Sequence, residues 1–179
     1  LFDRGAAIDA EVTALCDINP AKIEAIKGRL QNTTPTYFAD YKEMLDSGLC
    51  DAILVETEVS ILTETAQACV DAGKHILMDK PASGTLEDFK HLLDTAEEKH
   101  LVVQMGYMYR YNPLVMEALA MARNGELGEI YSVEAQMSVR HNAELRTWLG
   151  RYKGGMMYFL GCHLVDMICL FQGFPKEIL

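Results

Sequence analysis

The strongest constraint on the fold is a repeated alternation of short apolar runs with longer amphipathic segments. Strand-like runs are predicted at residues 11–17, 36–38, 51–55, 75–78 and 101–105. Helical periodicity lies between them, as at residues 60–72 and in the segment that Thr85 and Asp88 open with a capping box. Strands that alternate with helices build right-handed βαβ units and a parallel sheet. We therefore predict an α/β fold here, with the run DAILV at 51–55 buried on both faces.

The pattern changes near residue 108. Asn112-Pro113 opens a helix that runs to Asn124-Gly125, and the segment EIYSVEAQMSV at 129–139 then alternates apolar with polar residues. This alternation predicts a strand of a different, one-sided antiparallel sheet. We place a domain boundary there, which gives partial domains at 1–108 and 109–179. The second of these is the start of an α+β domain.

Composition and charge exclude several classes of protein. Half of the 179 residues are hydrophobic and 23% are charged, which excludes a disordered or collagenous chain. Sixteen Lys and Arg against twenty-six Asp and Glu give a net charge of -10, which repels nucleic acid and anionic membranes. The most apolar run, at 156–171, is shorter than the ~20 residues of a membrane span and contains His163 and Asp166. We therefore expect neither nucleic acid nor membrane as a partner.

The cysteines indicate the compartment. Their number is odd, the sequence has no C-x-x-C, and a secretory signal pattern is absent at the start of the sequence. These features predict buried free thiols in a reducing, cytoplasmic environment. The residues are Cys16, Cys50, Cys69, Cys162 and Cys169.

Ligands of open α/β sheets bind at the carboxyl ends of the strands. Asp17, Thr57, Asp79-Lys80-Pro81 and Gly106 follow predicted strands. An acidic residue in the position of Asp17 accepts hydrogen bonds from the ribose hydroxyls of NAD and lies ~20 residues beyond a glycine loop. Since only sixteen residues precede Asp17, that loop would lie upstream of Leu1. The alternative is a turn aspartate before Asn19-Pro20.

Two further positions could carry proton chemistry. Lys80 follows the end of a buried strand, where a partly desolvated ammonium can hold a hydroxyl by hydrogen bonding. An ordinary surface lysine in a turn is the alternative. His163 and Asp166 lie three residues apart on one helix face after a glycine-rich segment. Histidine is a general base near neutral pH, and a carboxylate one turn away can orient it. A core histidine is the alternative, and a metal site that uses Cys162 or Cys169 lacks a third ligand.

The tyrosines of GYMYRYNP at 106–113 alternate. Tyr107, Tyr109 and Tyr111 would therefore share one side if the strand before them continued. Packing in the core is the interpretation that we favour for these rings.

Several segments together resemble the Gfo/Idh/MocA oxidoreductases, a family that includes glucose-fructose oxidoreductase and inositol dehydrogenase. They are LCDINP, CDAILVET, DAGKHILMDKPAS, GYMYRYNP, GELGEIYSV and GGMMYFLGCHLVD, in that order along essentially the whole sequence. The resemblance implies a Rossmann domain that binds NAD(P), followed by an α+β domain with the substrate site and often an oligomer interface. It also implies a protein about twice as long, so we expect the sequence to be an internal fragment that lacks the first β-α unit. Such a fragment should not bind a dinucleotide tightly by itself.

The resemblance assigns roles to single residues. Lys80 matches the catalytic lysine of an E-K-P motif, in which Asp79 is a conservative departure, and His163 matches the histidine of a D-x-x-x-H signature. Asp166 matches a carboxylate on the substrate side, and Arg110 is assigned to the substrate with it. Asp17, Thr57, Asp79 and Lys80 are assigned to the cofactor. NAD is expected rather than NADP, because Asp17 is followed by Ile18 and Asn19 and not by an arginine.

The resemblance also has departures. Phe159 stands where family dehydrogenases commonly carry a catalytic aspartate, and Glu58-Val59 and Leu62 replace a proline pair and a histidine beside the nicotinamide. The expected activity is oxidation of a secondary hydroxyl of a sugar, a cyclic polyol or a derivative. Transient oxidation during glycoside cleavage and a regulatory protein that binds a dinucleotide without catalysis remain alternatives.

Overall fold

The computed structural model describes residues 10–27, 29–30, 34–152 and 154–178, and these form two compact units. The first unit comprises the described residues up to Met78 together with Ser83–Gln104. The second comprises Asp79–Ala82 together with Met105 and the described residues that follow. Residues 1–9, with which the predicted first domain begins, lie outside the described residues.

Strands and helices alternate along the first unit, which confirms the α/β prediction. The strands are β1 (Ala14–Cys16), β2 (Thr36–Phe38), β3 (Ala52–Val55), β4 (His75–Met78) and β5 (Val103–Met105). The helices are α1 (Pro20–Lys27), α2 (Tyr41–Asp46), α3 (Leu62–Asp71) and α4 (Leu86–Glu98), and a 3-10 turn at Val59–Ile61 precedes α3. The predicted capping box is present at the start of α4, where the Thr85 hydroxyl accepts from the Asp88 amide and the Asp88 carboxylate accepts from the Thr85 amide.

The strands form two separate sheets. β1 pairs in parallel with β2, with Ala14 opposite Thr36, and the other sheet has the order β3-β4-β5, with Ala52 opposite His75 in parallel. Across the described ranges no strand joins the two sheets. A doubly wound sheet of order 3-2-1-4-5-6 divides in this way when position 1 is left out. The described strands therefore match positions 2 and 3 and positions 4 to 6.

The prediction that the DAILV strand is buried on both faces is wrong. Alternate residues of a strand point to opposite faces, and Ile53 and Val55 are buried, whereas Leu54 is 44% exposed. β4 repeats this pattern, since Leu77 is 40% exposed. Helix α3 packs against both strands and covers one face of the sheet. The core lies on that side and includes Leu62, Cys69, Val70, Met78 and Leu92.

The second unit is helical. It contains a 3-10 turn at Met108–Tyr111, helices α5 (Pro113–Arg123) and α6 (Ala143–Leu149), a π-helical turn at Met157–Gly161 and helix α7 (Cys162–Gln172). Asn112 caps α5 as predicted, because its side chain accepts a hydrogen bond from the Leu114 amide. In the part of the chain that the structure describes, no helix is long and apolar enough to cross a membrane.

The prediction of a strand in this region is wrong. Residues 129–139 alternate in polarity but form no strand. Alternation stabilises a strand only beside a partner, and the described residues after Met105 contain no strand that could pair with it. Tyr107, Tyr109 and Tyr111 would share one side only if the strand before them continued; a 3-10 turn follows instead, so this condition is not met.

Candidate active site

The second unit holds Lys80 close to Phe159. Lys80 lies in the turn after β4, and its Nζ donates a hydrogen bond to the main-chain oxygen of Phe159 at 3.0 Å. The same nitrogen lies 4.1 Å from the centroid of the Phe159 ring, which is a cation–π distance. Lys80 is half-buried, and no carboxylate of the described residues lies within 4 Å of its ammonium. The cation is therefore held by two neutral groups of one residue.

The glycine-rich segment shapes the turn that carries Phe159. Gly154 has a φ of 84°, and a Cβ there would lie 2.8 Å from Cβ of Tyr158. A Cβ on Gly161 would lie 2.6 Å from the Met157 sulfur. Glycine is therefore required at position 154. At position 161 a side chain would displace the exposed Met157 side chain. The π-helical turn between them leads directly into α7, and such turns are frequent at functional sites.

His163 lies on the first turn of α7 and is only 3% exposed. The Tyr109 ring stands edge-on to the imidazole at 5.1 Å between centroids, and the Tyr107 ring does so at 5.9 Å. Burial and then the charge of Lys80 lower the pKa of His163, and Asp166 and Asp79 oppose this shift in part. The imidazole is therefore neutral near pH 7, which is the state that a general base requires.

Asp166 lies one turn beyond His163 on α7, and its carboxylate pairs with Arg110. Arg110 Nε donates to the two carboxylate oxygens at 3.1 and 2.9 Å, and Nη2 donates to Oδ1. These hydrogen bonds raise the pKa of Arg110. The Asp166 side chain is 7% exposed and the Arg110 side chain 44%, so the pair neutralises a carboxylate that would otherwise be buried alone. The two residues assigned to the substrate thus contact each other.

The residues assigned to the cofactor are divided between the units. Asp17 and Thr57 belong to the first unit, and Asp79 and Lys80 to the second. Asp17 Oδ1 accepts from the Asn19 amide at 2.8 Å, and Oδ2 lies 3.4 Å from Nζ of Lys22. These contacts are those of a turn aspartate before Asn19-Pro20, which is the alternative interpretation of Asp17.

The hydroxyl of Thr57, just after β3, is buried and has no hydrogen-bond partner within the described ranges. A buried hydroxyl without a partner costs free energy, so a ligand atom that bonded it would recover that cost. Nδ1 of His163 is also buried without a partner among the described residues. Both atoms belong to residues that the sequence selected for binding or catalysis.

The sequence did not reveal two features of these regions. The contact between Lys80 and Phe159 joins residues 79 positions apart, so no local pattern could have indicated it. In the first unit, Ser83 and Thr63 exchange hydrogen bonds, with the Ser83 hydroxyl accepting from the Thr63 amide at 2.9 Å. This exchange fastens the loop after β4 to the start of α3.

The cysteines are free, as predicted, but only Cys69 is buried; the others are half-buried. Burial raises the pKa of Cys69 to about 11. The partial exposure of the other four corrects the prediction that all are buried. Over the described parts of the chain, no three His, Cys, Asp or Glu side chains are arranged to hold a metal ion.

Two curated relatives illustrate what the sequence is similar to. The chain is 25% identical over 174 residues to D-xylose 1-dehydrogenase (NADP(+)) 2 of Haloferax volcanii, covering 96% of this chain and 53% of the relative. It is 28% identical over 168 residues to glucose-6-phosphate 3-dehydrogenase of Bacillus subtilis, covering 89% and 46%. The chain therefore spans about half the length of the curated relatives it matches.

Solved structures show the same fold. Scyllo-inositol dehydrogenase from Lactobacillus casei, with bound NAD(H) and scyllo-inositol, superposes with a TM-score of 0.74 at 21% identity, over 92% of this chain and 49% of that chain. A probable dehydrogenase from Thermotoga maritima superposes with a TM-score of 0.78 at 19% identity, over 97% and 52%.

Family matches cover nearly the whole sequence. Residues 4–107 match the oxidoreductase family with an NAD-binding Rossmann fold, and residues 115–179 match the GFO/IDH/MocA C-terminal domain. The first match covers the alternating strands and helices together with Lys80, and the second covers most of the helical unit, including Phe159 and His163. The chain belongs to the GFO/IDH/MocA oxidoreductase family.

Proposed function

We propose that this protein is an NAD(P)-dependent oxidoreductase that oxidises a secondary hydroxyl of a sugar, a cyclic polyol or a derivative. One observation carries the proposal: Lys80 Nζ donates a hydrogen bond at 3.0 Å to the main-chain oxygen of Phe159, which lies four residues before the buried His163. A base and a cation at one place can remove the proton of a hydroxyl and stabilise the oxygen anion that forms.

In the proposed reaction, Lys80 donates a hydrogen bond to the hydroxyl oxygen of the substrate, and the imidazole of His163 takes the hydroxyl proton. Asp166 and Arg110 fix a neighbouring hydroxyl, for which the exposed part of the Arg110 guanidinium offers further donors. When bound, the nicotinamide supplies the hydride acceptor. The protein supplies position and charge.

The residues of the first unit fit a dinucleotide in part. The orphaned hydroxyl of Thr57 is a free donor and acceptor at the end of a strand, and the Asp17 carboxylate suits ribose hydroxyls. Asp17 also repels a 2′-phosphate, and no arginine follows it, so we propose a preference for NAD over NADP.

The compounds in the names of relatives guide the choice of substrates. The named relatives act on D-xylose and glucose 6-phosphate, and scyllo-inositol is bound in a solved neighbour. All three carry adjacent secondary hydroxyls on a ring or a chain that closes into one. We extend the proposal to a homo-oligomer, as the family resemblance implies, and to a cytoplasmic location, as the cysteine pattern predicts.

The test is an assay of the full-length protein for NAD reduction with a panel of xylose, glucose 6-phosphate and inositols. We expect net formation of reduced nicotinamide with at least one of them. Release of a free sugar from a glycoside without net reduction would instead identify the glycoside-cleaving alternative. Tight NADH binding without turnover across the panel would identify a regulatory protein and refute the proposal.

A further inference from the structure

We infer that Phe159 is a positioning residue for Lys80: its ring and its main-chain carbonyl hold the ammonium beside His163 without neutralising it. The inference rests on the proposed function and concerns a residue to which the family resemblance assigns no role in this chain. Phe159 has no group that could exchange a proton. It would act only through the lysine.

The contact geometry supports this role. The carbonyl oxygen of Phe159 accepts from Lys80 Nζ at 3.0 Å, and its ring centroid lies 4.1 Å from the same atom. A hydrogen bond from a charged donor is stronger than a neutral one, and the ring attracts the cation through its quadrupole. An ammonium has three donors, so one is used by the carbonyl and two remain for a substrate oxygen.

The ring is itself held in place. Trp148 of α6 stands edge-on to Phe159, with centroids 5.4 Å apart and planes at 88°. Tyr152 packs against Trp148 in turn, with centroids 4.9 Å apart and planes at 70°. Edge-to-face pairs of this kind are favourable, so the row of rings restricts the Phe159 side chain. The ring that contacts the Lys80 ammonium therefore has little freedom to move.

Phe159 differs from an acidic residue in its effect on the charge of Lys80. A carboxylate at position 159 would pair with Lys80 and cancel most of its charge, whereas a ring and a carbonyl leave the charge intact. The intact charge favours the neutral form of His163, and it also stabilises an oxygen anion on the substrate. Several charged and titratable groups lie around His163: Asp79 and Lys80 from the turn after β4, Tyr107 and Tyr109 from the segment before α5, and Cys162 and Asp166 on α7. Arg110 reaches this group through its pair with Asp166.

The experiment is an NMR titration of His163 in the full-length protein without cofactor or substrate. The sequence has five histidines, so the resonance is assigned by its loss in His163→Gln. The variants are Phe159→Leu, Phe159→Tyr, Phe159→Asp, Lys80→Met and the double variant Phe159→Leu with Lys80→Met. Phe171→Leu, about two turns beyond His163 on α7, is the matched control for loss of a phenyl ring.

We expect Lys80→Met to raise the pKa of His163, and Phe159→Leu to raise it by a smaller amount, about half a pH unit. Phe159→Asp should raise it more than Phe159→Leu does, because the carboxylate adds its own charge. Phe159→Tyr, which keeps the ring, should titrate like the wild type, as should Phe171→Leu. In the Lys80→Met background, Phe159→Leu should have no further effect.

An unchanged pKa in Phe159→Leu would overturn the inference. An equal shift from Phe159→Leu with and without Lys80 would also overturn it, since the ring would then act on His163 without the lysine. If Phe159→Leu does not fold, Phe159→Met, which also removes the ring without adding a charge, is titrated instead and decides the matter by the same criterion. Because the titration needs no catalysis, its failure is distinct from a failure to find a substrate.

Discussion

The two units differ in whether the polar residues predicted to be functional interact with one another. In the first unit, Asp17 is bonded within its own turn and the Thr57 hydroxyl has no partner within the described ranges. In the second unit, the selected residues contact one another or act on one another's charge: Arg110 pairs with Asp166, and Lys80 lowers the pKa of His163. In the second unit the selected side chains therefore interact with one another, whereas in the first unit they lie apart.

The largest effects should follow from breaking the arrangement of the second unit. We expect Lys80→Ala and His163→Ala each to lower turnover by about a hundredfold or more in the full-length protein, the range of positioned acid–base groups. Lys90→Ala is the matched control, since Lys90 is an exposed lysine paired with Asp94 on α4. Turnover like that of the wild type in either active-site variant would show that the residue is structural.

The next effect concerns the pair between Asp166 and Arg110. Arg110→Ala leaves a carboxylate that is 7% exposed without its partner, and we expect a loss of about 2 kcal/mol in the free energy of unfolding. The estimate is below that for a fully buried pair because Arg110 is partly exposed to solvent.

Urea denaturation measures the effect of Arg110→Ala, and Arg151→Ala is the control, because Arg151 is exposed and has no ion pair among the residues described. Equal stability of Arg110→Ala and the wild type would mean that Asp166 finds another partner or water.

A third effect is a dependence of stability on pH. The pKa of His163 is lowered in the folded state, so the unfolded chain binds more protons once the pH falls below about 6.5. Stability should therefore fall as the pH drops from about 6.5 through the folded pKa. His163→Gln should lose that part of the decline, by about 1.4 kcal/mol for each unit by which folding lowers the pKa. Parallel stability curves for both proteins between pH 5 and 7 would contradict the burial of a neutral imidazole.

Thr57 gives a smaller effect of the opposite sign. Thr57→Val replaces an unpartnered hydroxyl with a methyl group of similar size, and we expect the ligand-free protein to gain up to about 1 kcal/mol. Thr65→Val should instead lose about 1 kcal/mol, since the Thr65 hydroxyl donates to the Ile61 carbonyl at 2.9 Å.

Thermal unfolding and NADH titration of the full-length protein measure both consequences of Thr57→Val. A gain in stability together with weaker NADH binding would show that the hydroxyl serves the cofactor. Destabilisation by Thr57→Val would mean that the hydroxyl has a partner within the fold.

The smallest effect concerns Asp17. Its carboxylate repels a 2′-phosphate, so Asp17→Ala should narrow the preference for NAD over NADP by about fivefold. Asp17→Asn should narrow it similarly while keeping an acceptor for the Asn19 amide. Titration of both dinucleotides into the full-length protein checks this, and tighter binding of NADP by the wild type would refute the assignment.

Much of the first unit was predictable because its signals are local. Strand β2 and the capping box at Thr85 lie where the sequence predicts them, since apolar runs and caps act within a few residues. The exposure of Leu54 was not predictable in the same way. An apolar run indicates a strand, but the coverage of each face depends on helices that pack from elsewhere in the chain.

The second unit was predicted less well, because its structure depends on contacts between residues that are far apart in the sequence. Residues 129–139 have the alternation of a strand, but a strand needs a partner, and none lies among the described residues after Met105. The helix face of His163 and Asp166 followed from their spacing alone. Two contacts depend on tertiary packing. Asp166 pairs with Arg110, 56 positions away, and Lys80 bonds the main-chain oxygen of Phe159. The identities of the candidate residues were therefore accessible from the sequence, but not their partners.

The most direct test of joint action by Lys80 and His163 is a double-mutant cycle of turnover in the full-length protein, with a substrate found in the panel. The variants are Lys80→Met, His163→Gln and both together, assayed at saturating cofactor. If the two side chains act on the same hydroxyl, the double variant should lose about as much turnover as the more impaired single variant. Losses that multiply in the double variant would show that the two residues act independently and would contradict the proposed site.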